Sequence, residues 1–320
     1  QIGLWAPCLL VVLRLIQGLA IGGELPSTYV YISETLTKKQ GTGFGITMAG
    51  VNSGLLLGML VNELINYFLL PEDIIAYGWR IPFIFGGLLC FISYRIRKTL
   101  SETAAFQKIH NKPAFPLLHL LKNNLKVVLL GTAITSIMSG LVVVTVIYMP
   151  TYLNKILNVD LSWVSHCTVI GMVVNVVTIY WTGRLANRIK PLTILFNLLL
   201  FSAVLIPISY WLISLQEFSL MLGIVILCIL EGVAAVIVPL SLCHLFATPI
   251  RLTGVALCYN VGFTLFGGMA PVIISAFINL GYDIYLTPIV YLLVIVLVCS
   301  MGLAFLKRFN RTSQTEVEIH

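Results

Sequence analysis

Residues 218–246 read FSLMLGIVILCILEGVAAVIVPLSLCHLF, an apolar run with one acid, Glu231, and no Lys or Arg. About 20 apolar residues cross a bilayer as a helix. This run is longer, so it reads as a membrane span. A single apolar segment in lipid must satisfy its own backbone, which makes it a helix.

Working outward, eight more candidate spans appear: Leu4–Ile32, Phe44–Leu70, Trp79–Tyr94, Val127–Tyr152, Ser162–Thr182, Leu192–Ile213, Val255–Leu280 and Ile284–Phe305. The third is short and has Arg80 at its start. Composition agrees: 59% of residues are hydrophobic and 10% are charged, with a mean hydropathy of +1.00. A soluble domain carries about 25% charged residues, so this chain has too few to cover a water-facing surface. The expected fold is an all-α polytopic membrane bundle of about nine helices.

The basic residues set orientation. Of the 19 Lys and Arg residues, all but Arg14, Arg80 and Lys155 fall on one side of these spans. The positive-inside rule makes that side cytoplasmic. The start of the chain is then outside and its C-terminus inside, in a multi-pass protein of the cell (inner) membrane. The chain begins Gln1-Ile2-Gly3-Leu4-Trp5 with no basic stretch before the first apolar run, which does not read as a signal peptide. An outside start fits an odd number of helices preceding Gln1.

Residues 95–126 form the one long polar segment, with Pro113 and Pro116, and divide three helices from six. The expected organisation is a three-helix part (residues 1–94), a cytoplasmic central loop (95–126), a six-helix half (127–306) and a cytoplasmic tail (307–320). Asn310–His320 is polar and is expected to be disordered. A weak internal repeat supports six as the unit. Gln17-Gly18, Lys38-Lys39, Gly43 and Asn52-Ser53-Gly54 in the first part correspond to Glu231-Gly232, Arg251, Gly254 and Asn260-Val261-Gly262 in the second. On that count the first part lacks three helices.

Several local patterns carry a family likeness. Arg14-Leu-Ile-Gln17-Gly18, Gly22-Gly23-Glu24, Gly78-Trp79-Arg80-Ile81-Pro82-Phe83, and Phe246-Ala-Thr-Pro-Ile-Arg251-Leu-Thr-Gly254 with Tyr259-Asn260 and Gly267-Gly268 resemble the metabolite–proton symporter group of the major facilitator superfamily, which includes proline/betaine transporters. Gly183-Arg184-Leu185-Ala186-Asn187-Arg188 resembles that superfamily's loop after the eighth helix, with Asn187 where the family usually has Asp. The resemblance implies two six-helix halves with the first three helices absent, and proton symport of a small polar solute (an osmolyte, amino acid or organic acid) by alternating access. The rival expectation is a non-transporting remnant, or a bundle that needs a partner to supply the missing helices.

Charges inside a span cost about 2.5–3.5 kcal/mol each on insertion scales, so those present are informative. Arg14, Gln17, Ile21, Glu24, Thr28 and Tyr31 recur at intervals of three and four and share one helix face. That stripe is expected to face the bundle interior or a water-filled path. Glu24 is the candidate proton-coupling carboxylate and Arg14 its tuning partner; the alternative is that both only fix packing. Glu231, Gln17, Asn52 and Asn260 are candidates for solute contact, followed by Tyr148, Asn175 and Tyr259. Each has helix packing as its alternative. Glu63, His166 and His244 read as interfacial.

Arg80, Gly183, Arg184, Arg188 and Arg251 lie at helix–loop junctions and are gate candidates, or headgroup anchors that set topology. The seven cysteines are scattered singly, with no CxxC pair and no zinc-ligand spacing, so no metal or cofactor is expected. HExxH, GxSxG and Gly-rich phosphate loops are absent, which argues against an enzyme. The formal charge of +7 is accounted for by cytoplasmic loops and does not point to nucleic acid. The expected partners are a small polar solute, protons and the lipid bilayer.

Overall fold

The apolar runs fold as helices. The structure is a computed structural model that describes residues 3, 5–36, 38–98 and 115–317, with backbone alone at 97 and 306–317. The helices are α1 (Trp5–Thr35), α2 (Gln40–Phe68), α3 (Pro71–Gly78), α4 (Arg80–Arg97), α5 (Pro116–Asn123), α6 (Leu125–Ile156), α7 (Leu161–Leu185), α8 (Pro191–Ser214), α9 (Glu217–Leu245), α10 (Thr248–Asn279) and α11 (Leu286–Val317). No strand occurs among the described residues.

Eight of these helices are individually long and apolar enough to cross a membrane. The ninth expected span is a pair, α3 and α4, bent by 42° at Trp79. Two further differences from the sequence reading lie in the polar segments. Residues 116–123, assigned to the central loop, form α5, which buries Leu120 and ends against Asn124; residues 99–114 of that loop lie outside the described residues. The backbone of α11 stays helical through Val317, past the Asn310 where disorder was expected. In that run Lys307, Arg308 and Arg311 are good helix formers.

Helix ends follow local chemistry. Pro71, Pro116, Pro191 and Pro249 stand in first turns, where the missing N–H costs nothing. Asp160 caps α7 by accepting from the amides of Ser162 (2.9 Å) and Trp163 (3.3 Å). Asp283 does the same for Tyr285 (2.9 Å) and Leu286 (2.7 Å) ahead of α11. Wide π turns occur at Ile74–Gly78 in α3, at Val143–Tyr148 and Tyr152–Ile156 in α6, and at Phe263–Gly268 in α10. Those at Val143–Tyr148 and Phe263–Gly268 each stand just before a proline, Pro150 and Pro271, whose absent N–H breaks the i→i−4 ladder. These two π segments pack on one another: a Cβ added at Gly267 would lie 3.0 Å from Val143 Cγ2.

The core centres on α6 and α9. The most apolar window of α6 is 72% buried and that of α9 67% buried, whereas none of the corresponding window of α1 is. α9 packs against α6, α7 and α8, and α11 closes the group against α6 and α8. α1 meets α9 and α10 through Pro26, Tyr29, Val30, Ile32 and Ser33. α2 lies along α7, and α4 touches α2 and the adjoining α3.

Candidate functional site

The polar residues of the interior come from different helices and meet where α1 and α2 contact the six-helix group. Glu231 stands at the midpoint of α9 and is 0% exposed. Its Oε2 accepts from Asn175 Nδ2 on α7, and the same amide donates to the Cys228 carbonyl at 2.8 Å. Glu231 Oε1 and Asn175 Oδ1 are buried without a hydrogen-bond partner. No Lys, Arg or His forms an ion pair with Glu231 among the described residues.

A charged carboxylate in so dry a setting is expensive, and neutralisation is the ordinary way out. Glu231 and Asn175 are separate candidates in the sequence; the fold makes them one unit. Gly232 lets the helices approach, since a Cβ there would meet the Asn175 carbonyl at 3.1 Å.

On α10, Asn260 donates to the Gly22 carbonyl of α1 at 2.8 Å and to the Ala256 carbonyl of its own helix at 2.8 Å. Tyr259 stands edge-on to Tyr29 of α1, ring centroids 5.8 Å apart, and Tyr29 in turn lies 6.0 Å from Phe44 of α2. Tyr29 is fully buried, and its hydroxyl reaches Met48 Sδ at 3.7 Å. Sequence reading counted Tyr31 in the α1 stripe and missed Tyr29, which the packing of α1 on α10 selects. Asn52 is buried on α2, and its amide returns to its own Met48 carbonyl at 3.1 Å.

Tyr148 is elsewhere, in the first π segment of α6, where its hydroxyl meets Ser275 Oγ at 2.8 Å. The α1 stripe points outward over its first four members, and only Thr28 and Tyr31 are half-buried. Arg14, Gln17, Ile21 and Glu24 are exposed, and Arg14 Nη1 donates to Gln17 Oε1 at 2.9 Å. The i,i+3 geometry expected from the sequence is there, but the buried face of α1 is the one carrying Tyr29 and Ile32.

Residues 2–271 match the family description Major Facilitator Superfamily. The chain belongs to the Major Facilitator Superfamily. It is 28% identical over 318 residues to the putative proline/betaine transporter of Staphylococcus haemolyticus (strain JCSC1435), which covers 96% of this chain and 66% of the relative. It is 26% identical over 289 residues to the citrate-proton symporter of Salmonella typhi, covering 88% of this chain and 66% of the relative. The corresponding protein of Klebsiella pneumoniae is 27% identical over 289 residues, 88% of this chain and 64% of the relative. The chain spans about two thirds of the length of the curated relatives it matches. All three relatives are transporters by name and none is an enzyme, so a major facilitator reading as a multi-pass membrane protein stands.

Within that family fold, the basic-rich face carries a second group of polar contacts between the α1–α2 part and the six-helix group. Glu34 Oε1 and Arg251 Nη1 are 3.0 Å apart, with the carboxylate side chain only 3% exposed. Arg251 Nε also donates to the Phe246 carbonyl at 3.1 Å. Gln40 donates to the Ser33 carbonyl (2.7 Å), and its Oε1 accepts from His244 Nε2 at 3.0 Å. Asn187 of the α7–α8 turn reaches Thr42 in the first turn of α2: its Nδ2 donates to the hydroxyl, and its Oδ1 accepts from the Thr42 amide at 3.4 Å.

Gly183 lies directly under that contact. A Cβ there would stand 2.6 Å from Gly45 Cα and 2.7 Å from the Gly41 carbonyl, so only glycine permits this crossing. Arg184 turns away, its guanidinium over the rings of Tyr180 (4.7 Å) and Trp181 (5.6 Å). Arg188 is exposed. Arg80 stacks on Trp79 at 4.4 Å and donates to the Ala76 carbonyl, so its contacts stay local to the α3–α4 bend. Of the gate candidates, Arg251 and Gly183 bridge the two parts in this structure. Glu34, Gln40 and Thr42 were missed, and His244 was read only as interfacial, because charges and amides near a span end are cheap and carry no signal of their own.

Proposed function

We propose that this chain is the greater part of a secondary active transporter that moves a small polar solute by proton symport. The observation that carries the proposal is the Glu231–Asn175 pair: a fully buried carboxyl at the midpoint of the α9 span, with no ion-pair partner among the described residues and one oxygen unused. Intramembrane carboxyls of this kind mark proton relays. The names of the relatives support the same reading, since they include a citrate-proton symporter and a putative proline/betaine transporter. The solute class is accordingly an osmolyte, amino acid or organic acid.

In the mechanism, the α1–α4 part and the α6–α11 part rock about the interior site and open it to one side at a time. The basic-rich side is cytoplasmic. The contacts Glu34–Arg251, Gln40–His244 and Thr42–Asn187 close that side in this conformation. Glu231 takes up its proton when the opposite side is open, and gives it up when water reaches it from the cytoplasm and stabilises the charge. Asn175 orients the carboxyl throughout. Asn260, Tyr259 and Asn52 supply contacts to the solute. Arg14, Gln17 and Glu24 lie on the exposed face of α1, and Glu24 is the rival position for the proton.

The test is uptake into vesicles containing the protein, with labelled betaine, proline or citrate, with and without an inward proton gradient. Gradient-driven uptake that is lost in Glu231→Gln and retained in Glu24→Gln supports this reading. The reverse pattern moves the proton to α1. Uptake that ignores the gradient in the unaltered protein removes proton coupling, and the absence of uptake for all three solutes removes the substrate class.

A further inference from the structure

The contacts above leave one strongly charged region without a task. At the basic-rich end of α7, a groove opens sideways between the helix and the turn after it, lined by Val177, Thr178, Trp181, Arg184, Leu185 and Arg188. Its two ends differ in chemistry. Val177, Trp181 and Leu185 are exposed apolar side chains of the span, 51%, 60% and 44% exposed. Above them stand Arg184 and Arg188, with Lys190 two residues further on.

No ion pair engages these cations among the described residues. The sequence holds no Asp or Glu between Asp160 and Glu217, which spans α7, its turn and α8. The neighbouring α1–α2 turn adds Lys38 and Lys39, and it is brought beside α7 by the Gly41–Gly183 contact. The acid nearest in that turn's helix, Glu34, is already occupied by Arg251. Arg184 is set in place by the Tyr180 and Trp181 rings rather than by an acid.

We infer that this groove is a binding site for one anionic phospholipid of the adjoining leaflet. The headgroup phosphate sits between Arg184 and Arg188, and an acyl chain descends along Trp181 and Val177. Basic pockets at this depth attract anionic headgroups, and the amphipathic indole of Trp181 suits the boundary between headgroup and chain. The apolar wall continuous with the cations is what a soluble anion would not use. The site adjoins Asn187 and Gly183, the residues that join α7 to α2, so an occupied groove stabilises the closed arrangement of this face. The inference is independent of which solute moves, or whether any does.

The experiment is release of the intact protein from mixed vesicles of phosphatidylcholine and phosphatidylglycerol, followed by native mass spectrometry of the lipid retained. The unaltered protein should keep one phosphatidylglycerol. Arg184→Gln with Arg188→Gln should weaken retention about thirtyfold, the expected effect of removing two interfacial cations. Trp181→Ala should weaken it at unchanged charge. Lys122→Gln with Lys126→Gln removes the same charge from the same face at α5 and α6 and should leave retention intact. Equal loss in both double variants would reduce the effect to general surface attraction and overturn the site. So would equal retention of phosphatidylcholine, or displacement of the lipid by inorganic phosphate. Thermal melting of each variant separates loss of the lipid from loss of the fold.

Discussion

Asn187, in the turn after α7, caps the first turn of α2 from across the structure: its amide donates to the Thr42 hydroxyl and its oxygen accepts from the Thr42 amide. The N-terminus of α2 has no side-chain cap of its own, since Lys39 at that position cannot accept. A helix start leaves several N–H groups unpaired and carries a partial positive charge. The two parts of the molecule are thus joined by a bond that each needs for local reasons.

Asn187→Asp tests that cap. A carboxylate accepts from both the Thr42 amide and the Thr42 hydroxyl, and charge-assisted bonds of this kind are about twice as strong as neutral ones. It also suits the helix dipole, which adds roughly 0.3–1 kcal/mol near a helix start. The variant should hold the basic-rich face closed more firmly, so a cysteine placed beneath it should label more slowly from that side. Asn187→Ala should label faster. Equal labelling in both variants would show that this contact does not limit opening.

The Glu34–Arg251 pair should behave as a buried couple. Removing one partner breaks a charge-assisted bond in a poorly hydrated place, at about 1.5–3 kcal/mol. Glu34→Gln and Arg251→Gln should each lower the melting temperature, and the double variant should cost less than their sum. A double-mutant cycle with no coupling energy would make the pair incidental.

Gly183→Ala should be among the costliest single-methyl additions in the chain. The new Cβ would meet backbone, Gly45 Cα at 2.6 Å, rather than a side chain that could turn aside. Overpacking of this kind costs about 1–3 kcal/mol. Gly18→Ala is the control, because a Cβ at Gly18 meets nothing within 4 Å. Melting of both variants in the same detergent decides the point; equal stability would mean that α2 and α7 part easily.

These comparisons also show what could be read in advance. The helices were legible because a bilayer demands a length of apolar sequence that nothing else in the chain imitates. The bend at Trp79 was less so, since α3 is too short to announce itself and Arg80 looks like a span boundary. Glu231 and Asn175 each stood out for being polar in an apolar run, but their union across 56 residues depends on which helix faces meet. The α1 stripe gave the correct period, as the Arg14–Gln17 bond shows, yet a period does not say which face is covered. Tyr29 became central only through its neighbours on α2 and α10. Glu34 sat near a span end, where a charge raises no alarm.

Glu231→Gln is the sharpest probe of the interior. A glutamine keeps the shape of a protonated carboxyl. Its oxygen can still accept from Asn175 Nδ2, and its amide can donate to Asn175 Oδ1, which now lacks a partner. If Glu231 is neutral in this conformation, the variant should melt at or above the temperature of the unaltered protein, since an unsatisfied buried acceptor costs about 1–3 kcal/mol. Solute exchange across equal concentrations should continue, while accumulation against a gradient should stop, because no proton is released. Asn175→Ala should do the opposite for stability, stripping Oε2 of its donor and opening space beside Gly232. A large fall in the melting temperature of Glu231→Gln would mean that the native group is charged and that a cation reaches it, and the proton would then have to be sought on α1.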